Sequence, residues 1–315
     1  NMSLLVQKFG GTSLGSIERI RAVAQRIAQE VEKGRRLIVV VSAMGKSTDH
    51  LVAMAKQLSA RPHPREMDML LATGEQVSMA LLSLALGRLN IDAVSMTGWQ
   101  AEIVTDDLHS DAHIVKVNKE PIRKNIAQGK VIVVAGFQGV TEDGEVTTIG
   151  RGGSDTSAVV LAAASGAERC DIFTDVDGVF TADPRIVPQA RLMSRISYDD
   201  MLSLAEQGAQ VVHPRAVACA KKCRVELAVR SSFHEMEGTL IGAYRETSGS
   251  APACGIAIKD RVVKVTITFA ARADKLINRM GALLSRFRLP YSDLNAESPR
   301  KLSLYYRAGS LSEAR

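Results

Sequence analysis

Three glycine-rich stretches carry the side chains best suited to chemistry: Lys8-Phe9-Gly10-Gly11-Thr12-Ser13, Gly150-Arg151-Gly152-Gly153-Ser154-Asp155, and Thr174-Asp175-Val176-Asp177-Gly178-Val179, which runs on through Phe180, Asp183 and Arg185. Each follows a strand-like run. Glycine lets backbone N–H groups come close to an anion, and a helix N-terminus behind such a turn adds a favourable dipole. The chemistry this favours is the handling of phosphates at the C-terminal ends of parallel strands, where open α/β sheets bind ligands. Other patterns fail on single positions. Gly45-Lys46-Ser47 lacks the earlier glycine of a P-loop, because Val40 stands there. Thr12 and Asp155 interrupt the two candidate dinucleotide fingerprints. A calcium loop around Asp175 and Asp177 would need ligands at Phe173 and Pro184. Cys219 and Cys223 are spaced to share a metal with His213, but free cysteines of this kind are expected to be buried thiols. No HExxH or His-rich set occurs.

The elements that must hold these turns follow from periodicity. Leu4 to Phe9 reads as a strand, and Ile17, Ile20, Val23, Ile27 and Val31 recur at helical spacing up to Gly34. Leu37 to Val41 and Val131 to Ala135 are apolar throughout, as central strands covered on both faces must be. A helix from about Asp49, one or two helices over Met67 to Leu86, and a strand over Asp92 to Met96 come between. Asp143-Gly144 signals a hairpin, and an Ala-rich helix follows Gly150-Asp155 to about Ser165. Strand Asp171 to Thr174, helices Tyr198 to Glu206 and Pro214 to Lys222, and strand Val225 to Val229 complete a large domain. The alternation predicts an α/β, three-layer fold with a mostly parallel central sheet. Residues 2–241 are its expected extent, 242–252 a linker, and 253–315 a small α+β module read as βαβ, from Val262 to Phe269, Ala273 to Phe287 and Lys301 to Tyr306.

With 315 residues, 46% hydrophobic and 23% charged, the chain has the composition of a globular protein able to bury a large core. Disorder and disulfide scaffolds are excluded. The formal charge of +6 is unevenly spread: residues 1–258 carry 28 basic and 29 acidic side chains, residues 259–315 carry 12 and 5. A near-neutral large domain and a tail without an aromatic stacking platform argue against nucleic-acid binding. Four cysteines without a CxxC, no run of 18 apolar residues and no secretory n-region predict a cytoplasmic protein without membrane insertion.

Taken in order, the motifs Lys8-Ser13, Val41-Ser42-Ala43-Met44-Gly45, Thr73-Gly74-Glu75, Thr97-Gly98-Trp99-Gln100-Ala101, Gly150-Asp155 and Thr174-Val179 resemble those of the aspartate kinases, from residue 4 to about 241. The resemblance implies an amino-acid-kinase fold and transfer of the γ-phosphoryl group of ATP, with Mg²⁺, to the side-chain carboxylate of L-aspartate. It implies Lys8 and Asp155 as catalytic residues, Lys8 neutralising the transferring group and Asp155 orienting Lys8 or the Mg²⁺-bound phosphates. No protein ligand to the metal is implied. Glu75 would take the substrate ammonium and Arg151 a substrate carboxylate, with Ser42, Gly45, Ser47, Thr48, Gly152, Gly153 and Ser154 lining that pocket. Lys8, Phe9, Gly10, Gly11, Thr174, Asp175, Phe180, Asp183 and Arg185 would bind the nucleotide. The tail resembles the start of an ACT module, βαββαβ in such enzymes, and implies a homo-oligomer, dimeric through that module.

Some positions depart from the pattern. Glu102 stands where glycine is usual, His109-Ser110-Asp111-Ala112-His113 replaces His-Gly-Asn-Ala-Arg, Gln210 replaces a common Lys, Phe180 a common Tyr, and Arg272 to Leu276 lacks a Pro-Gly turn. Three readings stay open: an aspartate kinase with weak or altered feedback control, a kinase of the same fold acting on another carboxylate, and a catalytically weak regulatory or assembly subunit.

Overall fold

The computed structural model describes residues 3–209, 211–244, 255–257, 262–268, 277–286, 293–298 and 301–307. Gln210, residues 245–252 of the expected linker and residues 272–276 lie outside them. The described residues fall into two compact units, one from Asn1–Ala205 and Gln210–Gly255, the other from Glu206–Ala209 and Ile256–Arg315.

The larger unit is built on strands β1 (Leu4–Phe9), β2 (Arg36–Val41), β3 (Ala93–Met96), β6 (Val131–Ala135), β9 (Arg169–Thr174), β10 (Arg195–Ser197), β11 (Leu227–Ser231) and β12 (Thr239–Gly242). They form one sheet in the order β10-β12-β11-β9-β1-β2-β6-β3, parallel except between β11 and β12. β1 lies at its centre, with Lys8 level with Val40 on one side and Ile172 on the other. Helices α1 (Ile17–Glu32) and α3 (Pro64–Arg88) cover one face. There Leu5, Phe9, Val39, Val41, Val133 and Phe173 pack against Ile20, Val23 and Ile27 of α1 and Met79, Leu82 and Leu86 of α3. Strand alternation sends Val6, Ile38, Val40, Ile132 and Val134 to the other face, equally buried. Helices α5 (Gly153–Ser165) and α7 (Pro214–Cys223) pack together on that side. The remaining helices are α2 (Ser47–Leu58), α4 (Glu120–Ala127) and α6 (Tyr198–Glu206).

α3 is long and apolar enough, by length and composition, to cross a membrane. Its buried face instead carries Asp68 and Glu75 among core residues, and the helix serves the interior of a folded domain. Where the sequence allowed one or two helices, this one is continuous.

A second sheet, β5-β4-β7-β8, is unforeseen in half of its strands. Strands β7 (Gln138–Val140) and β8 (Val146–Thr148) form the expected hairpin at Asp143-Gly144. β4 (Ile103–Thr105) and β5 (Ile114–Val117) are too short to leave an alternation pattern. Glu102, just before β4, has φ of 51°, the left-handed conformation in which any Cβ crowds the next carbonyl. That explains why glycine is usual there. Its carbonyl accepts the Asn118 N–H at 3.2 Å, which fixes the bend.

The smaller unit has strands β13 (Val262–Thr268), β14 (Asp293–Ser298) and β15 (Lys301–Arg307) in the order β13-β15-β14, all antiparallel, with helix α8 (Ile277–Arg286). Leu284 packs with Leu304, Val265, Ile267 and Leu294. Among the described residues the module is therefore βαββ rather than βαβ. The extra strand, DLNAES, is too polar to read as a strand from sequence. Together the units form a three-layer α/β domain with a small ACT-like α+β module.

Candidate active site

Lys8 is the last polar residue of β1, and strand alternation points it toward α5 rather than into the core with Phe9. The first turn of α5 meets it there. Lys8 Nζ lies 2.7 Å from Asp155 Oδ1, both side chains about one-eighth exposed. A carboxylate in the first turn of a helix is favoured by the helix dipole, and an anionic ligand at the same end would be too. The pair thus places a held cation at a helix N-terminus.

The other wall comes from β2 and α3. Ser42, Ala43 and Gly45 follow β2, and Thr48 stands in the first turn of α2. Backbone bonds tie this segment to the first glycine turn, Ser42 N to Phe9 O at 3.1 Å and Gly45 N to Gly11 O at 2.9 Å. Glu75, on the buried face of α3, accepts the Ala43 N–H at 3.1 Å through Oε1, while Oε2 has no partner among the described residues. Burial with so little compensation pushes its carboxyl up to about 8. Such a group is neutral at pH 7 until a cation arrives.

Between these walls lies a cleft of about 330 Å³, lined by Lys8, Gly11, Ser42, Ala43, Gly45, Thr48, Glu75, Phe137 and the run Gly150 to Asp155. Eleven of the expected residues therefore share one space: Lys8, Gly11, Ser42, Gly45, Thr48, Glu75, Arg151, Gly152, Gly153, Ser154 and Asp155. The rest stand elsewhere. Phe9 is wholly buried, its ring stacked on Phe173 at 4.7 Å, so its side chain faces no ligand. Ser47 donates to Met44 O at 2.6 Å. Gly10 donates its N–H to Phe173 O at 3.2 Å, which brings the first turn beside the end of β9. There Thr174 donates to Asp175 at 3.1 Å, Phe180 pairs with Leu192 as an isolated bridge, and Asp183 holds Arg185 at 2.7 Å with the Arg185 side chain 88% exposed.

Ala43, Phe137 and Gly150 were missed. Ala43 acts through its backbone N–H, which no side-chain pattern reveals. Phe137, with φ of 68°, sits between Gly136 and Gln138 in a turn whose only signal is that glycine. His109 and His113 pair with Asp68 at 2.7 Å and Asp106 at 2.9 Å. Asp177 pairs with His234 at 2.7 Å. Burial of both thiols fails: Cys219 is only half-buried, and Cys223, which ends α7, is exposed. Among the described residues no three His, Cys, Asp or Glu side chains gather as a metal-ligand group.

Residues 3–231 match the model of the amino acid kinase family. An aspartokinase of Geobacillus stearothermophilus is 56% identical over 266 residues, 84% of this chain and 65% of that protein. Aspartokinase 2 of Bacillus subtilis is 55% identical over the same length. The chain thus spans slightly less than two-thirds of the curated relatives it matches. Among solved structures, aspartate kinase from Synechocystis is 42% identical with a TM-score of 0.69, covering 99% of this chain and 54% of that one. Aspartokinase III of E. coli, solved with aspartate and ADP, is 23% identical and superposes with a TM-score of 0.82 over 97% of this chain and 79% of that one.

Proposed function

The chain belongs to the amino acid kinase family, and we propose that it transfers the γ-phosphoryl group of ATP to the side-chain carboxylate of L-aspartate, giving 4-phospho-L-aspartate and ADP, the first step toward lysine, methionine and threonine. Relatives named aspartokinase at 55–56% identity support the reading. The observation that carries it is the polarity of the cleft. Lys8 and Arg151 stand on one side, and on the other a buried carboxyl group, Glu75, has one oxygen unpartnered among the described residues. An acceptor with an ammonium group and two carboxylates fits those poles.

The reacting carboxylate is ionised at neutral pH, its reference pKa being about 3.9, so no general base is required. Its oxygen attacks the γ-phosphorus in line, and the bond from that phosphorus to the bridging oxygen of the β-phosphate breaks, releasing ADP. The difficulty is charge repulsion, and positioned cations and N–H donors relieve it. Lys8, held by Asp155, faces the transferring oxygens, with Gly11 of the first turn and the N-terminus of α5 adding backbone donors. Glu75 gives up its proton to pair with the substrate ammonium, and Arg151 takes the α-carboxylate in the bidentate fashion suited to guanidinium. Thr174, Asp175, Phe180, Asp183 and Arg185 form the nucleotide side, next to the first turn.

Asp155, paired with Lys8, would orient the phosphates that carry Mg²⁺ without itself being a ligand to the ion. Without a cage of three acidic or soft ligands among the described residues, the donor set fits a metal that keeps most of its oxygens from phosphates and water. The ion would neutralise the β- and γ-phosphate oxygens.

Glu75 also separates aspartate from N-acylated acceptors. Without an ammonium, such a substrate would leave a buried carboxyl unpaired, a penalty that rejects ligands strongly. The test is ADP release by the purified 315-residue chain with Mg²⁺-ATP and L-aspartate, L-glutamate or N-acetyl-L-glutamate. Aspartate alone should support turnover; turnover with the N-acetylated acid overturns the role of Glu75, and silence with all three overturns the activity.

A further inference from the structure

Behind the cleft, the turn Gly150-Arg151-Gly152 is braced by residues that do not line it. Arg215, in the first turn of α7, donates from Nη1 to Ile149 O at 2.5 Å and to Asp111 Oδ1 at 3.0 Å, and from Nη2 to Ala112 O at 3.0 Å. One guanidinium thus joins two segments far from it in sequence. The fork of donors on a planar group suits this, whereas a lysine ammonium would reach as a point charge.

Each end of the turn is closed by a neighbour of that guanidinium. Gly150 has φ of 78°, and a Cβ there would lie 2.7 Å from Asp111 Oδ1, the oxygen Arg215 holds. Gly152 has φ of 70°, and a Cβ there would meet His213 Cγ at 2.3 Å. His213 is the N-cap of α7 and accepts the Arg215 N–H at 3.2 Å. The loop carrying Asp111 is itself anchored from α3: fully buried Asp68 pairs with His109, accepts the Ser110 N–H at 3.0 Å and takes the Thr148 hydroxyl at 2.5 Å.

We infer that Arg215 is a positioning residue for Arg151: it fixes the 149–152 turn against the 109–112 loop and so sets where the Arg151 guanidinium stands in the cleft. The inference rests on the proposed role of Arg151 toward the acceptor carboxylate. Arg215 reaches that loop from α7, and Asp111 answers it.

The test compares Arg215→Ala, Arg215→Lys, Arg151→Ala and the Arg215→Ala/Arg151→Ala double variant in the full chain. Arg215→Ala should raise KM for aspartate at least about tenfold while KM for ATP stays within about twofold, as loss of uniform acceptor binding requires. Arg215→Lys should recover part of it. The double variant should be no worse toward aspartate than Arg151→Ala alone, because the two substitutions remove one interaction. An unchanged KM for aspartate, equal losses for both substrates, or multiplying effects in the double variant would each overturn the inference. Amide exchange judges it without turnover. The Gly153 and Ala112 amides, which donate to Gly150 O and Thr148 O, should exchange faster in Arg215→Ala at unchanged global stability. A wild-type chain inert toward aspartate sinks the assigned activity, and unchanged exchange in Arg215→Ala then sinks the brace as well.

Discussion

The run Gly150 to Asp155 follows β8 of the second sheet, an antiparallel hairpin strand, and the run Thr174 to Arg185 starts at the end of β9 in the central sheet; the two hold their charges differently. In the first, Asp155 is fixed by α5 and pairs with Lys8 on the central strand, both largely shielded from water. In the second, most of the chain after β9 is irregular, and Arg185 folds back onto Asp183 in the open. A charge held by a strand and a helix keeps its aim when no ligand is present. A charge on an open loop spends its interaction on its nearest neighbour, two residues away.

This contrast predicts unequal costs for removing a cation from each side. Lys8→Ala should lower kcat with Mg²⁺-ATP and aspartate by about 10²–10³-fold, the loss of a transition-state contact worth about 3–4 kcal/mol. Steady-state rates at saturating substrates measure it. A kcat near wild type would remove Lys8 from the mechanism.

Glu75→Gln comes next. Losing a charge-assisted contact of about 2 kcal/mol should raise KM for aspartate about thirtyfold. The pH dependence sharpens this. With its carboxyl pushed up to about 8, wild-type Glu75 must lose a proton to bind an ammonium, so aspartate affinity should fall about tenfold per pH unit below 8 and be flat in the Gln variant. Calorimetry in buffers of different ionisation enthalpy reads the released proton. The same shift acts on stability with a definite sign. The unfolded carboxyl ionises above about 4.5 and the folded one only near 8, so the wild type loses stability as pH rises through that window. Denaturant midpoints of Glu75→Gln should gain on the wild type between pH 5 and 8 and not beyond; parallel curves would contradict the burial of an unpaired acid.

Arg185→Ala should raise KM for ATP by less than about tenfold, because an exposed ion pair is screened and worth little before the ligand arrives. If it equals Lys8→Ala in cost, the distinction between the two walls fails. The smallest effect is expected at Glu102→Gly. Relief of the left-handed backbone, offset by the entropy of glycine, should leave a gain of about 0.5–1 kcal/mol in unfolding free energy. A loss would show that the Glu102–Asn118 side-chain contact outweighs the strain.

What the sequence revealed followed the same physical division. α1 was legible because its apolar residues recur with a fixed period up to Gly34, and β2 and α5 because continuous apolar or Ala-rich runs follow a glycine boundary. The cleft was legible where side chains sit on regular elements, as with Lys8, Glu75 and Asp155. It was not legible where the backbone acts, as at Ala43, or where contacts join distant segments. Arg215 and Asp111 are 104 residues apart, and nothing in the sequence around Asp68 shows that Thr148 and His109 are folded onto it. Strands of three or four residues, such as β4 and β5, are too short to show a period.

The measurement that bears most directly on the whole reading is the identity of the phosphorylated product. Incubation of the 315-residue chain with Mg²⁺-ATP, L-aspartate and hydroxylamine should yield aspartyl β-hydroxamate in step with ADP, and Lys8→Ala should yield almost none. ADP without hydroxamate, or hydroxamate formed equally well by Lys8→Ala, would contradict phosphoryl transfer to a carboxylate in this cleft.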